Sequence, residues 1–366
     1  VRDLCVVIAV GDRSDRNDTH GPAIPMIIRA GRPAWAFRKQ HPHSLTCLLL
    51  RASLSLSLSL SLSLTHSSVL HSGQMNTESD ARLLFSIGTS VRTSAEGEFD
   101  FPTGLAFDPA RGTLLVADLF NHRIQVFSSD DGSLVRTFGS EGRGAGHLSR
   151  PVEVTVDAES DRIVVADTDN HRVQFVSASD YSFVSSVGKQ GGGPLEFSNP
   201  RAPVIDLHLG HIILSDSGNN RAQVLTRDGA FVREIRHDSL RIDSMAIDNE
   251  LHRLVITDTR NHRVQVLSSI DGSFLFKFGS KGMQPGSLSG PFGVCIDNRN
   301  RIIVADYNNR RLQAFTASGQ YVTGLACAGP PTGVAFDEHR GLIAFIADNR
   351  VHVIGANQWL PDTFTW

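Results

Sequence analysis

Five copies of one eleven-residue pattern decide the fold. They read ADLFNHRIQVF (residues 117–127), ADTDNHRVQFV (166–176), SDSGNNRAQVL (215–225), TDTRNHRVQVL (257–267) and ADYNNRRLQAF (305–315). A shortened sixth copy, ADNRVHVIG, occupies residues 347–355, and with Asp348 as its aspartate the successive intervals are 49, 49, 42, 48 and 42 residues. Periods of about 40–50 residues are typical of repeat architectures, and short strands between turn signals are typical of propeller blades.

Each repeat predicts four short strands joined by tight turns. In the first copy the apolar runs are 104–108, 113–118, 123–127 and 133–138, separated by PARG, LFN and DDG. Such Gly, Asp and Asn turns between β-branched or aromatic runs are hairpin signals. Glycine-rich crossings ending in Pro151, Pro200 and Pro291 join the repeats, and proline suits the start of an innermost strand because no ladder donor is needed there.

The two ends of the repeat region predict how the ring closes. The last repeat stops after its third strand, near Arg350–Ile354, whereas ARLLFSIG at 81–88 precedes the first complete repeat and resembles the fourth strands LVRTFG and FLFKFG. Pairing the two would cover an exposed strand edge. We therefore predict an all-β, six-bladed propeller over residues 75–356, closed by the strand at 81–88, with a tail at 357–366.

Residues 1–74 precede the repeats and contain six Ser-Leu pairs from Ser53 to Leu64. This alternation is what a repeated CT dinucleotide encodes, so we interpret the segment as low-complexity sequence from an over-extended gene model, with Met75 as the start. A membrane or secretion segment at 48–70 is the first alternative, but serine and Arg51 interrupt its apolar run. A half-buried strand is the second.

Composition limits the function classes. Of 366 residues, 40% are hydrophobic and 20% charged, and 35 Lys+Arg against 38 Asp+Glu give a net charge of -3, as in ordinary globular proteins. Nothing here favours unspecific nucleic-acid binding, which needs a basic excess. The cysteines, Cys5, Cys47, Cys295 and Cys327, lack the C-x-x-C spacing of zinc ribbons, RING fingers and redox motifs. They favour a reducing compartment, and we predict a cytoplasmic location.

On these five motif copies, the chain resembles the NHL-repeat proteins over residues 81–356. The resemblance implies a six-bladed β-propeller. It also implies several roles: protein-binding modules of ubiquitin ligases, RNA-binding modules of tripartite-motif relatives, sensor domains of bacterial kinases, and the related peptide-amidating lyase. A fold does not choose among such roles.

The repeated motif residues are predicted to be structural. The aspartates can accept backbone N–H bonds from the following turn, and Asn121, Asn170, Asn220, Asn261 and Asn309 can take the left-handed conformation there. The arginines can pair with these aspartates or with a neighbouring blade. The predicted framework residues are Asp118, Arg123, Asp167, Arg172, Asp216, Arg221, Asp258, Arg263, Asp306, Arg311 and Asp348.

Binding is predicted on the face that carries the turns between second and third strands and the blade crossings, which we call the motif face. Irregular polar residues on a regular scaffold are the better candidates for recognition. Around the channel mouth these are Thr103, Val152, Glu153, Arg201, Asp243, Phe292 and Thr332, and at the turn tips His122, His171, His262, Arg260 and Arg310. The mixed charges suggest a polar ligand or a partner loop; a solvated rim is the alternative.

Catalysis is not predicted, and neither is a metal or another cofactor. The lyase is implied to bind zinc through histidines on inner strands, but GLAFD, EVTVD, APVID, SMAID, GVCID and GVAFD contain none, and His208 and His211 share one turn. Residues 81–356 hold 27 Lys+Arg against 31 Asp+Glu, so single-stranded RNA ranks second, through local arginines such as Arg221, Arg260, Arg263, Arg310 and Arg311. We predict a noncatalytic, monomeric recognition module for a peptide or loop of a protein partner, in a ubiquitin-ligase context and away from membranes.

Overall fold

The computed structural model describes residues 83–236 and 242–360, which form six four-stranded antiparallel sheets. The innermost strand of each sheet packs beside those of its two neighbours, and the sixth returns to the first. The predicted six-bladed β-propeller is confirmed. Residues 1–74 lie outside the described residues.

The strands are numbered in chain order from β1 (Leu83–Ile87), which belongs to the last blade. Blade 1 contains β2 (Pro102–Asp108), β3 (Thr113–Asp118), β4 (Arg123–Ser128) and β5 (Leu134–Phe138). Blade 2 contains β6 (Pro151–Asp157), β7 (Arg162–Asp167), β8 (Arg172–Ser177) and β9 (Phe183–Val187). A short parallel pair, β10 (Lys189–Gln190) and β11 (Glu196–Phe197), lies in the crossing to blade 3.

Blade 3 contains β12 (Pro200–Asp206), β13 (His211–Asp216), β14 (Arg221–Thr226) and β15 (Phe231–Ile235). Blade 4 contains β16 (Ser244–Asp248), β17 (Arg253–Asp258), β18 (Arg263–Ser268) and β19 (Phe274–Phe278). Blade 5 contains β20 (Pro291–Ile296), β21 (Ile302–Asp306), β22 (Arg311–Phe315) and β23 (Tyr321–Ala326). Blade 6 contains β24 (Val334–Asp337), β25 (Leu342–Ala347), β26 (Arg350–Gly355) and β1.

The ring closes as predicted. β1 pairs antiparallel with β26, with Ser86 opposite His352 and Ile87 opposite Val351. The Ser86 hydroxyl lies 2.9 Å from Nδ1 of His352, and Ile87 is buried. One strand from the N-terminal side therefore completes a blade whose other three strands come from the C-terminal end.

Hydrophobic side chains fill the spaces between neighbouring blades. Six clusters of buried residues occur, one at each contact between adjacent blades. The crossings contribute anchors to these interfaces, since Phe99, Leu148, Phe197 and Leu288 are almost fully buried. Blades are thus held together by the apolar faces of short, alternating strands.

The first residues of the predicted C-terminal tail pack against the last two blades. A single helical turn, α1 (Ala356–Trp359), follows β26, and Trp359 and Leu360 are buried in the cluster between blades 5 and 6. Burial of a tryptophan supplies enough apolar area to fix this turn.

Candidate binding face

The motif residues form a buried hydrogen-bonded framework under the motif face. In blades 1–5 the motif arginine donates from Nε to the aspartate that ends the second strand of the same blade, over 2.6–2.8 Å. The pairs are Arg123–Asp118, Arg172–Asp167, Arg221–Asp216, Arg263–Asp258 and Arg311–Asp306. These aspartate side chains are fully buried. The buried glutamines Gln125, Gln174, Gln223, Gln265 and Gln313 donate to the same carboxylates.

In blades 1, 2, 3 and 5 the framework ties the turn to the crossing that precedes the same blade. In four repeats the aspartate Oδ1 accepts a backbone N–H from that crossing over 2.6–2.8 Å, donated by Asp100, Ser149, Ser198 and Ser289. The sequence analysis predicted that the backbone N–H donors to these aspartates come from the following turn, and in these four repeats they come from the crossing instead. The arginine NH2 groups donate to crossing carbonyls, for example from Arg123 to Ala95 and Glu98. The motif therefore fixes the loops of the face.

In four of the five turns the left-handed residue is not the asparagine that was predicted. A 3-10 turn follows each second strand, at Leu119–Asn121, Thr168–Asn170, Ser217–Asn219, Thr259–Asn261 and Tyr307–Asn309. The next residue has φ of 50–55°, and these residues are His122, His171, Asn220, His262 and Arg310. Only Asn220 of the predicted asparagines takes this conformation. The others use their amides to donate to the motif aspartate, as Asn121 does to Asp118 over 2.9 Å.

The three turn histidines are half-buried and face the next crossing. Nδ1 of His122, His171 and His262 accepts the backbone N–H of Arg150, Asn199 and Gly290, respectively, over 2.9–3.3 Å. This contact gives each ring a role in positioning a loop, and recognition by the rings stays a prediction. Arg260, in the turn before His262, and Arg310, which takes the equivalent position in blade 5, are exposed.

Blade 6 departs from this framework. Ala347 pairs with Arg350 as Asp118 pairs with Arg123, so Ala347 occupies the register position of the motif aspartate. Asp348 lies in a two-residue turn with φ of 52°, followed by Asn349 with φ of 60°. The expectation that Asp348 is a framework residue does not fit this placement, because the shorter turn shifts the ADN letters by one position.

The predicted channel-mouth residues lie at the starts of the inner strands, and several link neighbouring blades. The Thr103 hydroxyl donates to the Val152 carbonyl over 2.6 Å, and the Thr332 hydroxyl donates to the Pro102 carbonyl over 3.3 Å. Both threonines are buried, as is Asp243. These threonine contacts are structural, which leaves the charged members of the set as the irregular feature.

Glu153 lies near the start of the inner strand of blade 2 and lines the central channel. The equivalent residues of the other blades are small: Gly104, Ala202, Ser244, Gly293 and Gly333. A methyl group on Gly104 would lie 2.6 Å from Cα of Glu153, and one on Gly293 would lie 2.7 Å from the Thr332 carbonyl oxygen, so side chains are excluded there. Blade 2 nevertheless carries a glutamate.

The Glu153 carboxylate spans from blade 2 to blade 4. Oε1 accepts the Ser244 hydroxyl over 2.9 Å, and the Ala202 backbone N–H also bonds to the carboxylate. Burial raises the pKa of Glu153 to about 7, although these bonds and the Arg201 charge lower it. Arg201 is half-buried, and its Nε is buried with no protein acceptor. Glu153 also lines a cavity of about 310 Å³ to which every blade contributes, for example through Phe107, Thr155, Val204, Met245, Cys295 and Phe336.

An arginine–aromatic row crosses the motif face, and the sequence analysis missed it. The guanidinium of Arg92 lies 5.4 Å from the Phe101 ring centroid, Phe101 lies 5.6 Å from Phe120, and the guanidinium of Arg150 lies 5.4 Å from Phe120. Phe120 keeps 39% of its surface exposed, and the side chains of Arg92 and Arg150 keep 59% and 52%. The row joins two crossings and one turn, so no single stretch of sequence contains it.

The opposite face carries the two histidines considered as metal ligands. The ring of His208 packs at an angle of 44° against that of His252 in the next blade, with 4.3 Å between ring centroids. Within residues 83–236 and 242–360, no group of three His, Cys, Asp or Glu side chains is arranged to hold a metal ion. The same residues contain no helix of the length and hydrophobicity needed to cross a bilayer.

Two free cysteines lie within the described residues. Burial raises the pKa of the Cys327 thiol to about 12 and that of Cys295 well above its usual range. Neither thiol is therefore activated as a nucleophile at neutral pH.

Family comparison identifies the repeat. The model described as NHL repeat matches residues 99–127, 148–174 and 288–315. This chain carries NHL repeats. The matched segments contain three of the turns and three of the crossing anchors described above, Phe99, Leu148 and Leu288.

Curated relatives match one short segment each. The chain is 41% identical over 49 residues to Protein lin-41 of Caenorhabditis elegans, covering 13% of this chain and 4% of that protein. It is 46% identical over 44 residues to E3 ubiquitin-protein ligase TRIM71 of Xenopus tropicalis, covering 12% and 5%. It is 44% identical over 45 residues to Protein brain tumor of Drosophila melanogaster, covering 12% and 4%. The matches span only 4–5% of these relatives' lengths.

Solved structures share the fold. A chain of a nidogen/laminin complex superposes with a TM-score of 0.53 at 17% identity, covering 63% of this chain and 83% of that one. A gluconolactonase from Xanthomonas campestris superposes with a TM-score of 0.56 at 15% identity, covering 70% of this chain and 86% of that one. Streptogramin B lyase gives 0.53 at 13%, covering 74% and 96%. At such identities the likeness concerns the fold alone, which serves enzymes and binding proteins alike.

Proposed function

We propose that the NHL propeller is a noncatalytic recognition module that binds a peptide or loop of a protein partner on its motif face. The observation that carries this proposal is the row formed by Arg92, Phe101, Phe120 and Arg150. Arginine and aromatic side chains are the groups most enriched at the energetic centres of protein interfaces. The framework of aspartates and arginines accounts for the conformation of the loops beneath the row, but it does not account for the exposed ring of Phe120.

The backbone at Phe101 supports a functional role. Phe101 has φ of 60°, and the equivalent positions before Pro200 and Pro291 carry Asn199 and Gly290, which also have positive φ. A left-handed bulky residue costs about 1–3 kcal/mol, and such strain clusters at functional sites. Asn or Gly at position 101 would adopt this backbone conformation with less strain. We therefore infer that the aromatic ring of Phe101 has a role that offsets the strain.

The name of one relative suggests a setting. TRIM71 is an E3 ubiquitin-protein ligase by name, and the 44-residue match to it supports placing this propeller as the recognition part of such a machinery. The described residues hold no cluster of metal ligands, so a ligase partner would act in trans or through chain outside them. The free thiols Cys295 and Cys327 suit the cytoplasm that we propose as its location.

The test is capture of partners by the tagged full chain from its native cells, with and without RNase. Phe120→Ala removes an exposed ring of the row, and Phe183→Ala is the matched control, because Phe183 is 37% exposed on the outermost strand of blade 2. We expect RNase-resistant protein partners whose recovery falls about tenfold in F120A and is unchanged in F183A. Equal recovery from both variants, or no partner that survives RNase, would reject the proposal.

Single-stranded RNA is the second candidate, and the same row favours it. Aromatic rings flanked by arginines form stacking platforms for bases, and such contacts do not require a strongly basic protein. The result that distinguishes it is ultraviolet crosslinking of RNA to the wild type, lost in F120A, together with protein partners that disappear on RNase treatment.

A further inference from the structure

The short turn of blade 6 opens a pocket on the motif face. Blades 1–5 join their second and third strands with four residues, for example 119–122, whereas blade 6 uses only Asp348 and Asn349. The space is a cavity of about 250 Å³, which we call the blade 6 pocket; its walls are Arg92, Phe101, Tyr307, Pro330 and Asp348, with Ile346 also lining it. This is smaller than a drug-sized site and suits one side chain.

Asn349 holds the pocket open. Its side-chain oxygen accepts the Phe101 backbone N–H over 3.0 Å, and its amide nitrogen donates to the Phe99 carbonyl over 3.0 Å. The same nitrogen lies 3.3 Å from the carbonyls of Thr89 and Val91. One amide therefore fastens the segment before blade 1 to blade 6, and the pocket walls are fixed before any ligand arrives.

The charges of the pocket are unequally paired. Arg92 lies over the Phe101 ring, and its Nε is 3.9 Å from Asp100, so an acid already offsets its charge. The Asp348 carboxylate is exposed and lines the pocket; within residues 83–236 and 242–360 it forms no ion pair or hydrogen bond, and its charge acts on the half-buried His352. The Asp348 carboxylate can therefore bind a cationic ligand group that donates hydrogen bonds.

We infer that the blade 6 pocket receives the guanidinium of an arginine side chain presented by the protein partner, an inference that rests on the function proposed above. A guanidinium can form two parallel hydrogen bonds to the Asp348 carboxylate and stack on the Tyr307 ring. The aliphatic part of the side chain would pack against Pro330. Lysine has the charge but neither the planar stacking surface nor the paired donors, so arginine is the better match.

The probe is N-acetyl-arginine methylamide, titrated into the intact chain with the Ile346 methyl group as an NMR reporter. We expect a saturable shift with a millimolar dissociation constant, weaker binding of the lysine analogue, and no binding of the uncharged citrulline analogue. Asp348→Asn should weaken arginine binding at least tenfold, since asparagine tolerates the left-handed turn but lacks the charge. Glu96→Gln removes the charge of an exposed acid in the segment between Arg92 and Phe101, and it should leave binding unchanged.

The absence of a saturable shift, equal binding of citrulline, or wild-type binding by D348N would overturn the inference. Partner capture separates this failure from failure of the proposed function. A partner lost in F120A but held at wild-type strength by D348N would leave the motif-face function intact and reject only the arginine pocket.

Discussion

Blades 1–5 and blade 6 are built from the same four-strand unit, but their second strands end differently. The first five end in a buried aspartate that binds arginine, asparagine and glutamine side chains beneath the motif face. Blade 6 ends in Ala347 and a two-residue turn, and its fourth strand comes from the other end of the repeat region. Where the framework is interrupted, in blade 6, the short turn borders a pocket that is lined by the exposed carboxylate of Asp348.

The largest expected effect comes from breaking the closure of blade 6. Deletion of residues 81–88 removes β1, uncovers β26 and exposes the surface buried around Ile87 and Phe85. We expect a loss of about 3–5 kcal/mol and a melting temperature lower by about 10 °C or more, measured by calorimetry. Deletion of residues 1–74 is the control, and equal melting temperatures for the two deletions would refute the closure.

The framework aspartates should contribute far more to the free energy of unfolding than Asp348, the aspartate in the blade 6 turn. Asp167→Asn leaves Arg172 and Gln174 facing a neutral amide at a fully buried site, which should cost about 3 kcal/mol in urea unfolding. Asp348→Asn should change the unfolding free energy by less than about 0.5 kcal/mol, because Asp348 is exposed. Similar costs for both would show that the two turns are energetically equivalent after all.

A third test concerns Glu153, the exception among the small channel residues. Its pKa rises to about 7 in the folded protein from 4.5, so the folded state binds the proton more tightly and stability falls as pH rises from about 4.5 to 7. Glu153→Gln should remove this dependence and stabilise the protein at pH 8 by about 1–3 kcal/mol. Thermal unfolding at pH 5 and pH 8 measures both, and an unaltered pH slope in E153Q would contradict the assignment.

The smallest effect is expected at His352, which bonds the closing strand. Burial lowers its pKa below the usual 6.5, so the unfolded state binds the proton more tightly and stability falls as pH drops below about 6.5. We expect a loss below about 1 kcal/mol between pH 7 and 5.5, absent in His352→Gln. Stability changes with pH in the opposite direction to the change caused by Glu153. Measuring E153Q and H352Q together therefore separates the contribution of the closing strand to the pH dependence of stability from that of the channel. A wild-type pH response in H352Q would place the titrating group elsewhere.

Much of the fold was predictable because repeats supply redundant information. Five copies of a pattern fix the blade length, and the incomplete last copy predicted the pairing of 81–88 with Arg350–Ile354, which is confirmed. Asp348 was misplaced since the letters ADN match the motif while the turn is two residues shorter. The left-handed residue was misassigned because asparagine and histidine are neighbours, and composition alone does not say which has positive φ.

The site was harder to predict than the fold. Glu153 was singled out at the channel mouth, but its bond to Ser244 spans 91 positions and depends on the closed ring. The row of Arg92, Phe101, Phe120 and Arg150 combines two crossings with one turn, and the sequence gives no period that relates them. Local patterns predict strands and turns, whereas contacts between loops of different blades follow from the three-dimensional arrangement.

The pairing of β1 with β26 also sets the order of events during synthesis. Ser86 and His352 are 266 positions apart, so the closing ladder is among the last contacts that the growing chain can make. Blades 1–5 can each fold from contiguous sequence as they leave the ribosome, while β1 must wait, unpaired, for the end of the repeat region. During that interval an apolar strand is available to other chains, which makes the newly synthesised protein a natural client for chaperones that shield strand edges.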